Sequence, residues 1–242
     1  MTQGLLVLQG VFFKKIFIKK KFLLIFVFLT YGLSFASLLF FFYHSEMSFI
    51  VVGLGNPGED YAKTRHNVGW IVLDKFLKEF NFSDFAENAK NKGAIAIGKV
   101  GKEKVTVLKP LTMMNASGKA VATLIKSKKQ AQNLVVIHDD LDMAIGNYKL
   151  VYNRGSGGHK GVESIKRAIG TNEFLRIKIG VAPATPSGKI KKPKGEKAVL
   201  DFIIGEFKKP ELEKIQKVMK DISLALESVI LDGRALAMND WN

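Results

Sequence analysis

The chain has 242 residues, with 37 Lys and Arg against 22 Asp and Glu, a formal net charge of +15. A balance this basic favours a polyanionic partner, because each phosphate that a cation neutralises releases a condensed counterion. The absence of cysteine excludes disulfides, thiolate nucleophiles and cysteine metal sites.

The first stretch is an apolar leader. Lys14, Lys15, Lys19, Lys20 and Lys21 precede an uncharged run from Phe22 to Tyr43 that is long enough to cross a bilayer. The positive-inside rule would keep its N-terminus in the cytoplasm and send the following domain outside. A signal peptide, with Ser34-Phe35-Ala36 as a loose cleavage site, is a second membrane reading. Residues 1 to 46 therefore stand apart from residues 47 to 242, whose length fits one domain with a full core.

Beyond the leader, strands and helices alternate. Phe49 to Val52 reads as a buried strand, and Val68 to Phe80 as an amphipathic helix. Strands follow at Gly93 to Val100 and Lys104 to Leu108, then a helix from Asn115 to Lys128. A buried strand at Leu134 to His138, a strand at Asn147 to Val151, a helix from Lys160 to Ile169 and a strand at Leu175 to Val181 come next. Ala182 to Lys197, rich in Pro, Gly, Ser and Lys, reads as a mobile basic loop. Pro210 to Leu231 has helical periodicity, with Pro210 near its start and Gly233 near its end. This order predicts a single α/β domain whose mixed, mostly parallel sheet is flanked by helices on both faces.

The segment Gly53-Leu54-Gly55-Asn56-Pro57-Gly58-Glu59-Asp60-Tyr61-Ala62-Lys63-Thr64-Arg65-His66-Asn67-Val68-Gly69-Trp70 joins the first strand to the first helix. A strand that hands over to a helix is where α/β folds place their chemistry. Gly53, Gly55 and Gly58 match the dinucleotide fingerprint literally. Pro57, however, removes an amide, and a polar loop intervenes before the helical periodicity begins, so no helix N-terminus would meet a pyrophosphate.

The whole string resembles the start of the bacterial peptidyl-tRNA hydrolases, and the likeness continues. Lys109-Pro110-Leu111-Thr112-Met113-Met114-Asn115-Ala116-Ser117-Gly118-Lys119-Ala120-Val121 is similar to that family's second signature, and Val136-Ile137-His138-Asp139-Asp140-Leu141-Asp142 to its third. Gly155-Ser156-Gly157-Gly158-His159-Lys160-Gly161 and Phe174-Leu175-Arg176-Ile177-Lys178-Ile179-Gly180 resemble the fourth and fifth. The resemblance implies metal-free, cofactor-free hydrolysis of the ester between peptide and tRNA by a cytoplasmic monomer with no obligate protein partner. It also makes Met47 the expected start, since Met47 to Gly53 begins where the family begins. A membrane tether through Phe22 to Tyr43 is the alternative.

Ester hydrolysis needs a water activated by a base that titrates near working pH, and histidine does so unperturbed. Of the four histidines, His44 lies in the leader, His138 ends an apolar strand, His159 sits in a glycine turn and His66 stands in the polar loop. A lone histidine is ordinarily a cap or core imidazole, but the family motif selects His66 as the base. Asp139, next to the buried strand, is its natural orienting partner. Asp139, Asp140 and Asp142 could also suggest a divalent metal site, which the resemblance does not imply. Asp142 by itself reads as a turn or cap carboxylate.

Asn56 and Asn115 are neutral donors suited to a developing oxyanion, or else turn and N-cap residues. By resemblance, Asn56 also distinguishes a peptidyl chain from a free aminoacyl group, Asn115 and Met113 line the site for the substrate's 3′ end, and Tyr61 contacts the tRNA. Met113 stands where the family often has an aromatic. Lys160 stands where the family usually has Asn, and an ammonium donates but cannot accept. It could meet a phosphate near the tRNA end or point to solvent. Arg176, Lys149, Arg154 and the run Lys189, Lys191, Lys192, Lys194 are the cations available to the tRNA backbone. A non-catalytic RNA-binding module that has lost turnover through Lys160 is the rival reading.

Overall fold

The computed structural model describes residues 48–242. The leader expectations, including the tether through residues 22–43, lie outside these residues. Among the described residues, no helix is long and apolar enough to cross a membrane.

Seven strands form one sheet: β1 (Ser48–Gly53), β2 (Ala86–Asn88), β3 (Gly93–Val100), β4 (Glu103–Pro110), β5 (Leu134–Ala144), β6 (Tyr148–Tyr152) and β7 (Leu175–Ala182). Their order is β2-β3-β4-β1-β5-β7-β6. The sheet is mixed, as the alternation predicts, with the parallel pairings of β4, β1, β5 and β7 at its centre. The outer pairings, β2 with β3, β3 with β4 and β6 with β7, are antiparallel. Parallel and antiparallel pairings are thus equal in number, where a mostly parallel sheet is the expectation from sequence. Hydrophobic periodicity reports burial and not direction. The turn at Gly101, with φ of 57°, is too short for a parallel crossover.

The helices are α1 (Val68–Glu79), α2 (Ser117–Leu124), α3 (Lys128–Ala131), α4 (Lys160–Ile169), α5 (Glu196–Ile203), α6 (Lys209–Leu231) and α7 (Arg234–Asp240). Side chains alternate across each strand, so β1 sends Phe49 and Val51 to one face and Ile50 and Val52 to the other. The first face packs under α1, α6 and α7, the second under α2, α3 and α4. The helix expected over Asn115 to Lys128 is two: Ile125 is buried in an extended conformation, and the Ser127 hydroxyl accepts from the Gln130 amide to start α3. Helix α5 begins inside the stretch read as a basic loop.

Close approach of three backbones positions the site. Strand β1 ends at Gly53 opposite Ile137 of β5, and the Leu54 amide donates to the Ile137 carbonyl at 2.9 Å. Gly69 in the first turn of α1 lies against the same carbonyl, where a Cβ would stand 2.5 Å from the oxygen. His66 lies three residues before Gly69 and Asp139 two residues after Ile137, so this contact brings the two side chains together. Gly69→Ala should therefore destabilise the fold by about 1–3 kcal/mol, the usual cost of overpacking, and lower activity beyond what lost folded protein explains. Denaturant unfolding and turnover per folded molecule measure both; full activity in the Gly69→Ala variant would show that this contact does not set the histidine's place.

Candidate active site

Strand β5 continues past the end of β1, so Asp139 lies beside a crevice rather than beneath a neighbouring strand on that side. Asp139 is 4% exposed, and burying a carboxylate is costly unless it is hydrogen-bonded. Two imidazoles supply the bonds. His66 Nδ1 and His159 Nε2 each lie 2.9 Å from the same oxygen, Asp139 Oδ1.

The tautomers follow from the surroundings. His159 caps α4: its Nδ1 accepts from the amides of Gly161 at 3.1 Å and Val162 at 3.3 Å. Its hydrogen therefore sits on Nε2 and is donated to Asp139. Against an ionised carboxylate His66 must likewise donate from Nδ1, which leaves its Nε2 lone pair free to act as a base. Burial alone would raise the Asp139 carboxyl, but the charges and hydrogen bonds of His66 and His159 override it and hold the group well below the usual carboxylate range. His66, Asp139 and His159 are close enough to hold a metal ion by spacing. The donor set does not fit one, because two backbone amides already occupy the lone pair of His159 Nδ1 and the other nitrogen carries the proton.

The remaining carboxylates of the sequence cluster part ways. Asp140 pairs with Lys178 and accepts from the Asp142 amide, while Asp142 pairs with Lys192 at 2.6 Å. Asp142 thus takes a surface cation, not a turn or a cap.

Asn56 is buried in the loop that follows β1. Its Oδ1 accepts from the Met114 amide at 2.8 Å, which fixes the orientation of its side-chain amide. Its Nδ2 has no hydrogen-bond acceptor among the described residues and remains available to a ligand. Asn67, fully buried, holds the Asn56 backbone on both sides: its Oδ1 accepts from the Asn56 amide and its Nδ2 donates to the Asn56 carbonyl, both at 2.9 Å. Asn115 is exposed in the short turn Met114–Ala116 and is neither an N-cap nor side-chain bonded among the described residues. Met113 is 49% exposed beside it. Tyr61 ends the turn Glu59–Tyr61 and is half-buried, outside the hydrogen bonds of the histidine cluster.

Two cations take places that charge counting does not foresee. Arg176, grouped with the tRNA-facing cations in the sequence, is 3% exposed, and its Nη2 donates to the Gly155 carbonyl at 2.9 Å. It braces the glycine turn that leads to His159 from within. Arg65 is buried as well and bonds to Glu211 of α6 at 2.6 Å. Lys160 is exposed and pairs with Glu196 at 2.9 Å, whereas Lys149 and Arg154 are exposed on β6 and just beyond it. The structure therefore brings together His66 and Asp139 of the expected set, adds His159 on the same carboxylate oxygen, and ties Asn56 to the pair through Asn67, the neighbour of His66. The signal for His159 was its place between a glycine turn and a helix start.

The peptidyl-tRNA hydrolase family model matches residues 50–242. The chain belongs to this family. A peptidyl-tRNA hydrolase of Thermodesulfovibrio yellowstonii is 38% identical over 196 residues, covering 80% of this chain and 98% of the relative. That of Geobacillus kaustophilus is 38% identical over 194 residues, covering 80% and 98%. The crystal structure of the Acinetobacter baumannii peptidyl-tRNA hydrolase superposes with a TM-score of 0.72 at 28% identity, covering 82% of this chain and 96% of that one. In this family member three of the signatures met in the sequence meet at one carboxylate: the first brings His66, the third Asp139, and the fourth His159.

A third imidazole completes the cluster. His138 is 1% exposed, donates from Nδ1 to the Asp139 carbonyl at 2.7 Å, and stacks edge-on to His159 with ring centroids 4.6 Å apart. Its Nε2 is buried without a partner. Burial, reinforced by His159, pushes its pKa well below the ordinary 6.5. A histidine held neutral in the fold and free to charge on unfolding gives full stability above its unfolded pKa. That stability is lost as pH falls below about 6.5, at up to ~1.4 kcal/mol per pH unit. His138→Asn keeps a donor for the Asp139 carbonyl but cannot take up a proton, so denaturant unfolding against pH should show a shallower acid loss in this variant. An identical slope would assign the acid sensitivity to other groups.

Proposed function

We propose that His66 is the general base with which this peptidyl-tRNA hydrolase activates water against the ester joining peptide and tRNA. The observation that carries the proposal is the His66 Nδ1 to Asp139 Oδ1 bond, because it leaves Nε2 unprotonated and able to take a proton. Water gives a proton to Nε2 as its oxygen attacks the ester carbonyl, and the imidazolium so formed is stabilised by the Asp139 carboxylate. Asn56, with its oxygen committed to the Met114 amide, offers Nδ2 to the developing oxyanion. Collapse of the tetrahedral species expels the ribose 3′-oxygen, which takes the proton from His66, and the products are free tRNA and a free peptide acid.

His159 is a positioning residue in this scheme, a second donor that keeps Asp139 ionised and aimed. Asn115 and Met113, exposed next to Asn56, suit contact with the 3′ end of the substrate, and Tyr61 with the tRNA. Arg176 supports the site by bracing the Gly155 turn rather than as a surface cation. Exposed Lys149 and Arg154, with the basic loop ahead of α5, would hold the tRNA body by its phosphates. The donor set leaves no metal seat, which favours metal-free hydrolysis, and a substrate made in the cytoplasm favours action there. The non-catalytic RNA-binding reading finds no support here, since Lys160 leaves the His66 and Asp139 pairing intact.

His66→Ala should preserve folding and tRNA affinity while lowering hydrolysis by about 10²- to 10⁴-fold, the usual worth of general-base catalysis. Turnover near the parent value would remove His66 from the mechanism. Asp139→Asn should also slow the reaction, since a neutral amide no longer favours the imidazolium and can offer His66 Nδ1 a donor in place of an acceptor. The pH profile of kcat tests this: an unchanged rate and profile would move the orienting role elsewhere.

A further inference from the structure

Helix α5 contains no buried residue, so packing fixes it less firmly than the other helices. Two cations hold its ends, and each is the sequence neighbour of a histidine that bonds to Asp139. At the C-terminal end, Arg65, next to His66, donates from Nη1 to the carbonyls of Phe202 at 3.3 Å and Gly205 at 3.1 Å, and its guanidinium lies 4.4 Å from the Phe202 ring centroid. At the N-terminal end, Lys160, next to His159, reaches Glu196 Oε1 at 2.9 Å.

The two ends differ in kind. The Arg65 and Glu211 side chains are 7% and 19% exposed, whereas Lys160 and Glu196 are 62% and 83% exposed. The first is a desolvated anchor with several acceptors. The second is a screened surface pair that another anion can exchange. The anion at hand is the substrate's own backbone, because Lys160 opens α4 directly after His159, beside the carboxylate around which the ester must react. A lysine ammonium binds phosphate as a point charge and needs no fixed fork geometry.

We propose that Lys160 is a phosphate ligand for the 3′-terminal backbone of peptidyl-tRNA, that Glu196 occupies it in the free protein, and that substrate phosphate displaces this carboxylate and frees the N-terminal end of α5. The proposal rests on the peptidyl-tRNA hydrolase reading of the site. Glu196 stands between Lys194 and Lys197, so on release its carboxylate remains in a cationic neighbourhood, while the Arg65 anchor keeps the far end of the helix in place. The position that departs from the family's usual Asn thus gains a binding role that an amide could fill only as a neutral donor.

The test is a cycle of Glu196→Gln, Lys160→Gln and the double variant, with KM for peptidyl-tRNA measured across a salt series. Removing the internal competitor should lower KM by about two- to fivefold, the scale of a solvent-exposed pair. Lys160→Gln should raise KM and reduce the salt slope by about one. In the Lys160→Gln background, Glu196→Gln should give no further gain. An unchanged or raised KM in Glu196→Gln overturns the proposal, and so does an equal gain with and without Lys160, which would be a general charge effect. Affinity for uncharged tRNA, measured on the same four proteins, reads the exchange without turnover. A parent chain that binds but does not cleave would therefore overturn the hydrolase mechanism and not the exchange.

Discussion

One oxygen of Asp139 accepts hydrogen bonds from two imidazoles, and much of the molecule is arranged to make that possible. A buried carboxylate with one donor is poorly satisfied, whereas two donors with partial positive charge keep it ionised against the cost of burial. Each donor is brought from a different element. His66 arrives through the contact of Gly69 with the Ile137 carbonyl, and His159 arrives as the cap of α4. The cap also fixes which nitrogen of His159 carries its hydrogen. A helix start thereby determines the protonation pattern of the cluster, and through the shared oxygen it bears on His66 as well.

Around this centre the chain uses its cations in two ways. Arg65 and Arg176 are buried and hold backbone carbonyls, so they act as struts for the two loops that carry the histidines. Most lysines remain at the surface, some of them paired with carboxylates, as at Lys160 and Lys192. The division follows the chemistry of the two groups. A guanidinium is weakly hydrated and satisfies several acceptors in a fixed plane, while an ammonium is strongly hydrated and is better left in water.

This division also explains which parts of the molecule could be read from the sequence. The central strands carry continuous apolar runs and the helices clear periodicity, so β1, β7, α1, α4 and α6 are legible to within a few residues, whereas β5 runs on to Ala144, past the expected end at His138. Strand direction was less so, although the short turn between β3 and β4 held the signal for an antiparallel pair. Helix α5 does not read as a helix because it is short and begins in a lysine-rich stretch after Pro193. Arg176 reads as a surface cation because charge alone says nothing of burial. His159, in a glycine turn before a helix, reads as an ordinary cap, and a cap it is. Its second role, on Asp139, depends on two segments that meet only in the folded sheet.

The central claim is that His66 and His159 hold opposite tautomers around one carboxylate. Long-range nitrogen–proton correlation spectra of the imidazoles, recorded at mildly alkaline pH on the folded protein, read each tautomer directly. The account predicts Nδ1–H for His66 and Nε2–H for His159, with the pattern lost at His66 when Asp139 is replaced by Ala. A His66 that carries its proton on Nε2 would contradict it, since no lone pair would then remain to activate water.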